Sequence, residues 1–132
     1  MIRMTIKTKC VYDEPVPDDG YRVLIMRKPV WINKSYKEFR KVDGGTKRHP
    51  RHLIVLSPSE TLLAAYQNHI INWDTFEECF RAEQKNDPAS KEAIHALREK
   101  SKVMNVTLLC QEKEGENCHR HIVKDMILNG FG

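Results

Sequence analysis

Apolar and polar residues alternate at the start of the chain, with Ile2, Met4 and Ile6 set against Arg3, Thr5 and Lys7. This period of two predicts a half-buried strand near residues 2–9. Tyr21 to Met26 (YRVLIM) is more continuously apolar and predicts a more central strand, ended by Arg27-Lys28-Pro29 because proline cannot donate to a ladder. A brief apolar run, Leu53 to Leu56, reads as a further strand. Helical signals then follow in succession. Ser57-Pro58-Ser59-Glu60 offers Ser57 as N-cap, proline at the first helical position and glutamate at the third, opening a helix to about Asn68. Trp73, Phe76 and Phe80 recur at helical spacing within a second helix, from about Trp73 to Lys85. Asp87-Pro88 caps a third, to about Lys100, with Ile94 and Leu97 inward.

The densest pattern is the last one, Val103 to Asn129 (VMNVTLLCQEKEGENCHRHIVKDMILN). Val103 to Cys110 has the length and the Val/Leu content of a strand buried on both faces, as in a parallel sheet. After a polar loop, Asn117 is a good N-cap, and Ile122, Val123, Met126 and Ile127 give one face of a final helix. On that wheel His119 looks toward the sheet, Cys118 and Arg120 flank the apolar face, and His121 leans to solvent. Strands near 2–9, 21–26 and 103–110 alternating with helices predict an α/β fold: one domain over residues 1–132, a three-layer sandwich with a mainly parallel sheet. The strands at 21–26 and 103–110 are expected to be parallel neighbours ending on the same side.

Composition narrows the class. The chain has 132 residues, 40% hydrophobic and 30% charged, enough for a core without disulfides or a structural metal. No apolar stretch approaches a membrane span, and the N-terminal residues lack the apolar core of a signal peptide, so the expectation is a cytoplasmic protein with no membrane partner. Its four cysteines, Cys10, Cys79, Cys110 and Cys118, form no CxxC pair and are expected to be reduced. Cys79 follows Phe76 on a strongly patterned helix and is expected to be a slow, packed thiol.

Charge is uneven. Residues 27–52 carry nine Lys or Arg against Glu38 and Asp43, while residues 53–87 carry two against six acids. Within the basic segment Ser35 and Glu38 have capping-box spacing for a short helix near Ser35 to Lys41, and Gly44-Gly45 forces a turn. A localised basic stretch suits a polyanion, so one reading is a non-catalytic nucleic-acid-binding protein using Lys47, Arg48 and Arg51 for phosphate contacts. A charge run is also what an ordinary solvated loop shows.

The other reading is chemical. Cys118, His119 and Arg120 fall in the first turn of the last helix, where backbone N–H groups are unpaired and the helix dipole is positive. Such a place binds anions and lowers a thiol's pKa. The reading is a thiol-dependent enzyme or sensor acting on a phosphorylated or other anionic substrate. Cys118 is the thiolate, His119 and Glu112 are candidate acid–base groups, and Arg27, Arg120 and Cys110 complete the binding site. A packed core-edge role for His119 is equally consistent with its position. Cys110, at a strand end, and Cys118, at a helix start, have the placement for a redox pair. Cys110, Cys118, His119 and His121 are also of a type that zinc favours, but their spacing matches no standard module and His121 faces away from His119. No metal and no cofactor are therefore assigned. Dinucleotide- and Walker-type glycine loops are absent, and six residues on from Cys110 stands Glu116, not the arginine of a phosphatase-type loop.

The segments IKTKCVYDEPVPDDGYRVLIMR, LSPSETLLAAY, NWDTFEECFRAE and VTLLCQEKEGENCHRHIVKDMI resemble the YeaO-like domain-of-unknown-function family. The resemblance covers most of the chain and is weakest from Lys28 to His52. Its most specific parts are GYRVL with the following Arg27, and the pairing of LLCxE with CHR. In that family an acid usually precedes the arginine and Leu-Trp-Pro-Arg-Gly follows it. Here Met26 stands in place of the acid and Lys28-Pro29-Val30-Trp31 in place of the rest. The resemblance implies a small cytosolic α/β protein with its site at Cys110, Glu112, Cys118, His119 and Arg120, and it implies no particular reaction.

Overall fold

A computed structural model of the chain describes residues 4–11, 13, 16–26, 53–110 and 117–131. Three strands, β1 (Ile6–Cys10), β2 (Tyr21–Leu24) and β3 (Val106–Cys110), form a parallel sheet in the order β1-β3-β2. Four α-helices accompany them: α1 (Glu60–Gln67), α2 (Trp73–Lys85), α3 (Pro88–Ser101) and α4 (His119–Asn129). The α/β class and the parallel pairing of β2 with β3 are as the apolar patterns predict. Every residue of β3 is buried, which is why that run is apolar without alternation.

Register brings the strand ends together. Cys10 lies opposite Cys110, and Leu24 opposite Leu109, so all three carboxyl ends share one edge. The ladder continues one residue further on both sides, with Val11 N–H donating to the Cys110 carbonyl (2.7 Å) and Ile25 N–H to the Leu109 carbonyl (3.1 Å). At the opposite edge Gly20 holds a φ of 64°, and a Cβ there would run into the Asn105 backbone. Only glycine lets Tyr21 N–H reach the Asn105 carbonyl at 2.8 Å and start β2 in register.

One sheet face, through Ile6, Val23, Ile25, Val106, Leu108 and Cys110, joins a single core with Leu62, Phe76, Phe80, Ile94, Leu97 and the buried side of α4. The other face carries Val11, Leu24, Met26 and Leu109 beside a buried charge cluster. There the fully buried Asp19 meets Lys9 (3.0 Å), Lys7 (3.3 Å) and the equally buried Arg22 (3.3 Å), and accepts from Val16 N–H. A second helical layer is not among the described residues. No helix there is long and apolar enough to cross a membrane.

The boundaries depart from expectation in instructive ways. Leu53 to Leu56 is not a strand: Ile54–Leu56 is a 3-10 turn, closed by Ser57 Oγ donating to the Ile54 carbonyl at 2.5 Å. A serine hydroxyl supplies locally the partner that a sheet would have provided. α1 is capped by Ser59 and not Ser57, because Glu83 of α2 accepts from both the N–H and the hydroxyl of Ser59 (3.0 and 2.5 Å), while that hydroxyl oxygen takes the Leu62 N–H. β3 begins at Val106, since Lys102 to Asn105 turns the chain after α3 and leaves Val103 80% exposed. Residues 28–52, including the helix expected near Ser35 to Lys41, lie outside the described residues.

Burial pushes the Asp19 carboxyl up, but Lys9, the Val16 N–H and Lys7 outweigh it and hold the group below the ordinary carboxylate range. Asp19→Ala takes that carboxylate from a buried guanidinium, and is expected to destabilise the fold by about 3–5 kcal/mol. A urea midpoint within experimental error of the parent's would show that the cluster holds no such energy.

Candidate functional site

The site is assembled by the shared carboxyl edge of the sheet. β3 delivers Cys110 at its last residue, β2 delivers the Ile25 backbone just past its end, and α4 begins there with Cys118 and His119. Two contacts fix α4 from outside. Arg98 of α3 donates to the Ile127 and Leu128 carbonyls (3.0 and 3.2 Å) at its last turn, and Arg81 of α2 pairs with Asp125 (3.0 Å). A cation on C-terminal carbonyls also complements the helix dipole.

Cys118 is the N-cap of α4, one residue later than the cap expected at Asn117. Its Sγ accepts from the Arg120 N–H at 3.5 Å, and its carbonyl accepts from the His121 N–H at 3.2 Å. The backbone donor that the sequence reading reserves for an anionic ligand is thus directed at sulfur. The anion this helix start favours is the Cys118 thiolate itself.

His119 is buried and turned toward the sheet, as its position on the wheel predicts. Its Nε2 lies 2.5 Å from the Ile25 carbonyl oxygen. A carbonyl only accepts, so Nε2 carries a proton. Cys118 Sγ lies 3.8 Å from Nδ1, while Cys110 Sγ lies about equally near both ring nitrogens, 3.7 Å from Nδ1 and 3.6 Å from Nε2. Phe80 stands edge-on to the ring, centroids 5.5 Å apart, at the end of an aromatic row through Phe76, Trp73 and Tyr66. The ring is clamped between α2 and the sheet.

The cluster settles the charge of one thiol. A hydrogen bond from Cys110 is the largest influence on Cys118. Burial opposes it, while His119, by hydrogen bond and by charge, and the Arg120 N–H reinforce it, and the Cys118 pKa is lowered to about 4. At 2% exposure this sulfur is enclosed. A shallow cavity of about 190 Å³ lies between α2 and the start of α4, lined by Trp73, Glu77, Arg81, Asn117, His121 and Ile122 and by none of the three cluster residues.

The structure therefore brings Cys110, Cys118 and His119 together, their ligating atoms all within 4.8 Å of one another. His121 is exposed and takes no part. Arg120, expected to flank the apolar face, is fully buried. A helical wheel ranks residues against one packing face, and the start of α4 is enclosed on a second side as well. Cys79, expected to be packed, is exposed. On α2 the inward residues are Phe76, Phe80 and Gln84, and Cys79 lies off that line. None of the four cysteines is in a disulfide. Arg27, Glu112, Lys47, Arg48 and Arg51 lie outside the described residues, and with them the basic segment on which the nucleic-acid reading rests. The Ile25 carbonyl was not foreseen, because a backbone acceptor leaves no residue-type signal.

With this geometry in hand, comparison with known proteins gives a family. The family described as "DUF488-N3a: Active DUF488-N3 subclade" matches residues 6–130. The chain belongs to this family. It is also similar to the uncharacterized protein YeaO of Escherichia coli (strain K12), 27% identical over 124 residues, covering 94% of this chain and 97% of YeaO. No solved structure matches. The matched stretch of the DUF488-N3a chain runs from the first residue of β1 to just beyond α4, so it includes Cys110, Cys118 and His119.

Because the Cys118 pKa is depressed in the folded state, its ionisation favours folding fully above the free-thiol value of about 8.5, and that contribution is lost as pH falls toward about 4. Between these limits the parent should lose stability relative to Cys118→Ala as pH is lowered. Urea midpoints of both proteins across the window check this. Parallel curves would mean that Cys118 titrates alike in both states.

Proposed function

We propose that this DUF488-N3a chain is a thiol-dependent enzyme or sensor in which Cys118 is the reacting thiolate. One observation carries the reading: the Cys118 sulfur is surrounded by donors, from Cys110, His119 and the Arg120 N–H, that together favour its ionised form. Packing alone asks only for a small apolar side chain at this position. Thiolate is the nucleophilic form of cysteine, and a pKa far below neutrality keeps that form present at physiological pH. His119 serves as the charge partner, with its ring direction held by the Ile25 carbonyl.

Cys110 gives the site a second reactive centre. With a hydroperoxide, the Cys118 thiolate takes one oxygen, leaving a sulfenic acid and releasing an alcohol or water. The Cys110 thiol then attacks the Cys118 sulfur, water leaves, and a Cys110–Cys118 disulfide forms, two electrons having passed to the peroxide. Enclosure of Cys118 restricts direct attack to small electrophiles. The anionic substrate group expected from the sequence has less support, since the Arg120 N–H that would greet it is already turned to sulfur. A reducing, cytoplasmic setting fits a chain that keeps four free thiols.

Site-resolved alkylation of metal-stripped protein by iodoacetamide, followed by mass spectrometry across pH, separates a working thiolate from a packed thiol. The exposed Cys79 is an internal reference for reagent access, and the rate of a free thiol climbs roughly tenfold per pH unit toward about 8.5. Cys118 should instead react at a nearly constant rate from about pH 5 upward, since its thiolate is already formed. A Cys118 profile that climbs as a free thiol's does would end the thiolate reading.

A further inference from the structure

On spacing alone, Cys110, Cys118 and His119 make no recognisable metal module. Their arrangement in space is another matter. Zinc takes thiolate sulfur at about 2.3 Å and imidazole nitrogen at about 2.0 Å in a tetrahedron, which sets each sulfur-to-nitrogen edge near 3.6 Å. Cys118 Sγ lies 3.8 Å from His119 Nδ1, and Cys110 Sγ lies 3.7 Å from Nδ1 and 3.6 Å from Nε2. All three ligating atoms lie within 4.8 Å of one another, and all three residues are buried. A metal ion entering the triangle would draw the Cys110 sulfur to the Nδ1 side of the ring.

We propose that these three residues form a binding site for a thiophilic divalent cation, Zn²⁺ being the natural occupant. Two further features support it. The donor set, two sulfurs and one imidazole nitrogen, is the one zinc prefers over magnesium or calcium. The remaining ring nitrogen already donates to the Ile25 carbonyl at 2.5 Å, the outer-shell contact that metal-bound histidines almost always make, here present before any metal. Three protein ligands leave one tetrahedral position for water or an exogenous group, the pattern of catalytic and not structural zinc. On binding, the Cys110 thiol and His119 Nδ1 each give up a proton to solvent and both sulfurs become ligands, so a bound metal withdraws Cys118 from alkylation.

The proposal does not rest on the reactivity of Cys118, and the two fail separately. Reduced, chelator-stripped full-length chain is titrated with Co²⁺ and followed by absorption. The expected result is one equivalent bound, with a thiolate-to-cobalt charge-transfer band and the intense visible bands of tetrahedral cobalt, all abolished by one equivalent of Zn²⁺. His119→Gln and Cys110→Ser should each weaken binding by more than the ~10–100-fold that losing an outer-shell partner costs. Cys79→Ser and His121→Gln should leave it unchanged. Zinc should also slow alkylation of both Cys110 and Cys118 in the unaltered protein while leaving Cys79 alone, which answers the question even if a variant does not fold. Absence of a charge-transfer band at stoichiometric cobalt, or a band that survives His119→Gln, overturns the site. A cobalt band accompanied by an ordinary pH profile for apo Cys118 would keep the metal site and remove the thiolate chemistry. The reverse pair of results would keep the chemistry and remove the metal.

Discussion

The hydrogen bond from His119 Nε2 to the Ile25 carbonyl decides what the site can be. It joins the first turn of α4 to the end of β2, two segments almost a hundred residues apart in the chain. By occupying the proton on Nε2 it leaves Nδ1 for Cys118, 3.8 Å away, and for Cys110, whose sulfur lies 3.7 Å from Nδ1 and 3.6 Å from Nε2. Phe80 and the sheet hold the ring in this orientation by packing, so α2 and its aromatic row serve the site without touching sulfur.

The sheet provides the rest. Parallel strands place every carboxyl end on one edge, and helices returning to the sheet begin or end there. Cys110 closes β3, the central strand, while Cys118 caps α4 on the return. A capping cysteine offers sulfur where serine or asparagine would offer oxygen, and the helix start then stabilises negative charge on that sulfur. Charge on the opposite face is handled differently. Asp19 there pairs with Arg22 and with two lysines that β1 directs to the same place.

Much of this was legible in the residues, and the exceptions share a cause. Periodicity located α2 to the residue and gave α3 to within one, and the unbroken apolar run LLC marked the buried end of β3. The wheel turned His119 inward and His121 outward correctly. What the pattern could not supply were partners distant in sequence. Glu83 moves the start of α1 two residues past the cap that local spacing favours, and the chain enclosing Arg120 lies on a side that a single-face wheel ignores. Cys79 was misjudged because a strong packing face says little about residues beside it. Local hydroxyl chemistry at Ser57 likewise overrode the strand propensity of Leu53 to Leu56. Zinc-type spacing failed as a guide for the same reason: the ligand triangle is closed by a strand end and a helix start, not by a short loop.

Thiolate and metal are two uses of one cluster; a metal displaces a thiol proton itself, whereas the thiolate reading requires Cys118 to lose its proton far more readily than an ordinary thiol. Carbon-13 NMR of protein labelled at the cysteine Cβ, metal-free and reduced, reads that ionisation directly for each cysteine as pH is varied. Cys118 should titrate with a midpoint near 4, and the midpoint should rise in His119→Gln. A Cys118 midpoint at or above the free-thiol value of about 8.5 would contradict the account at its centre.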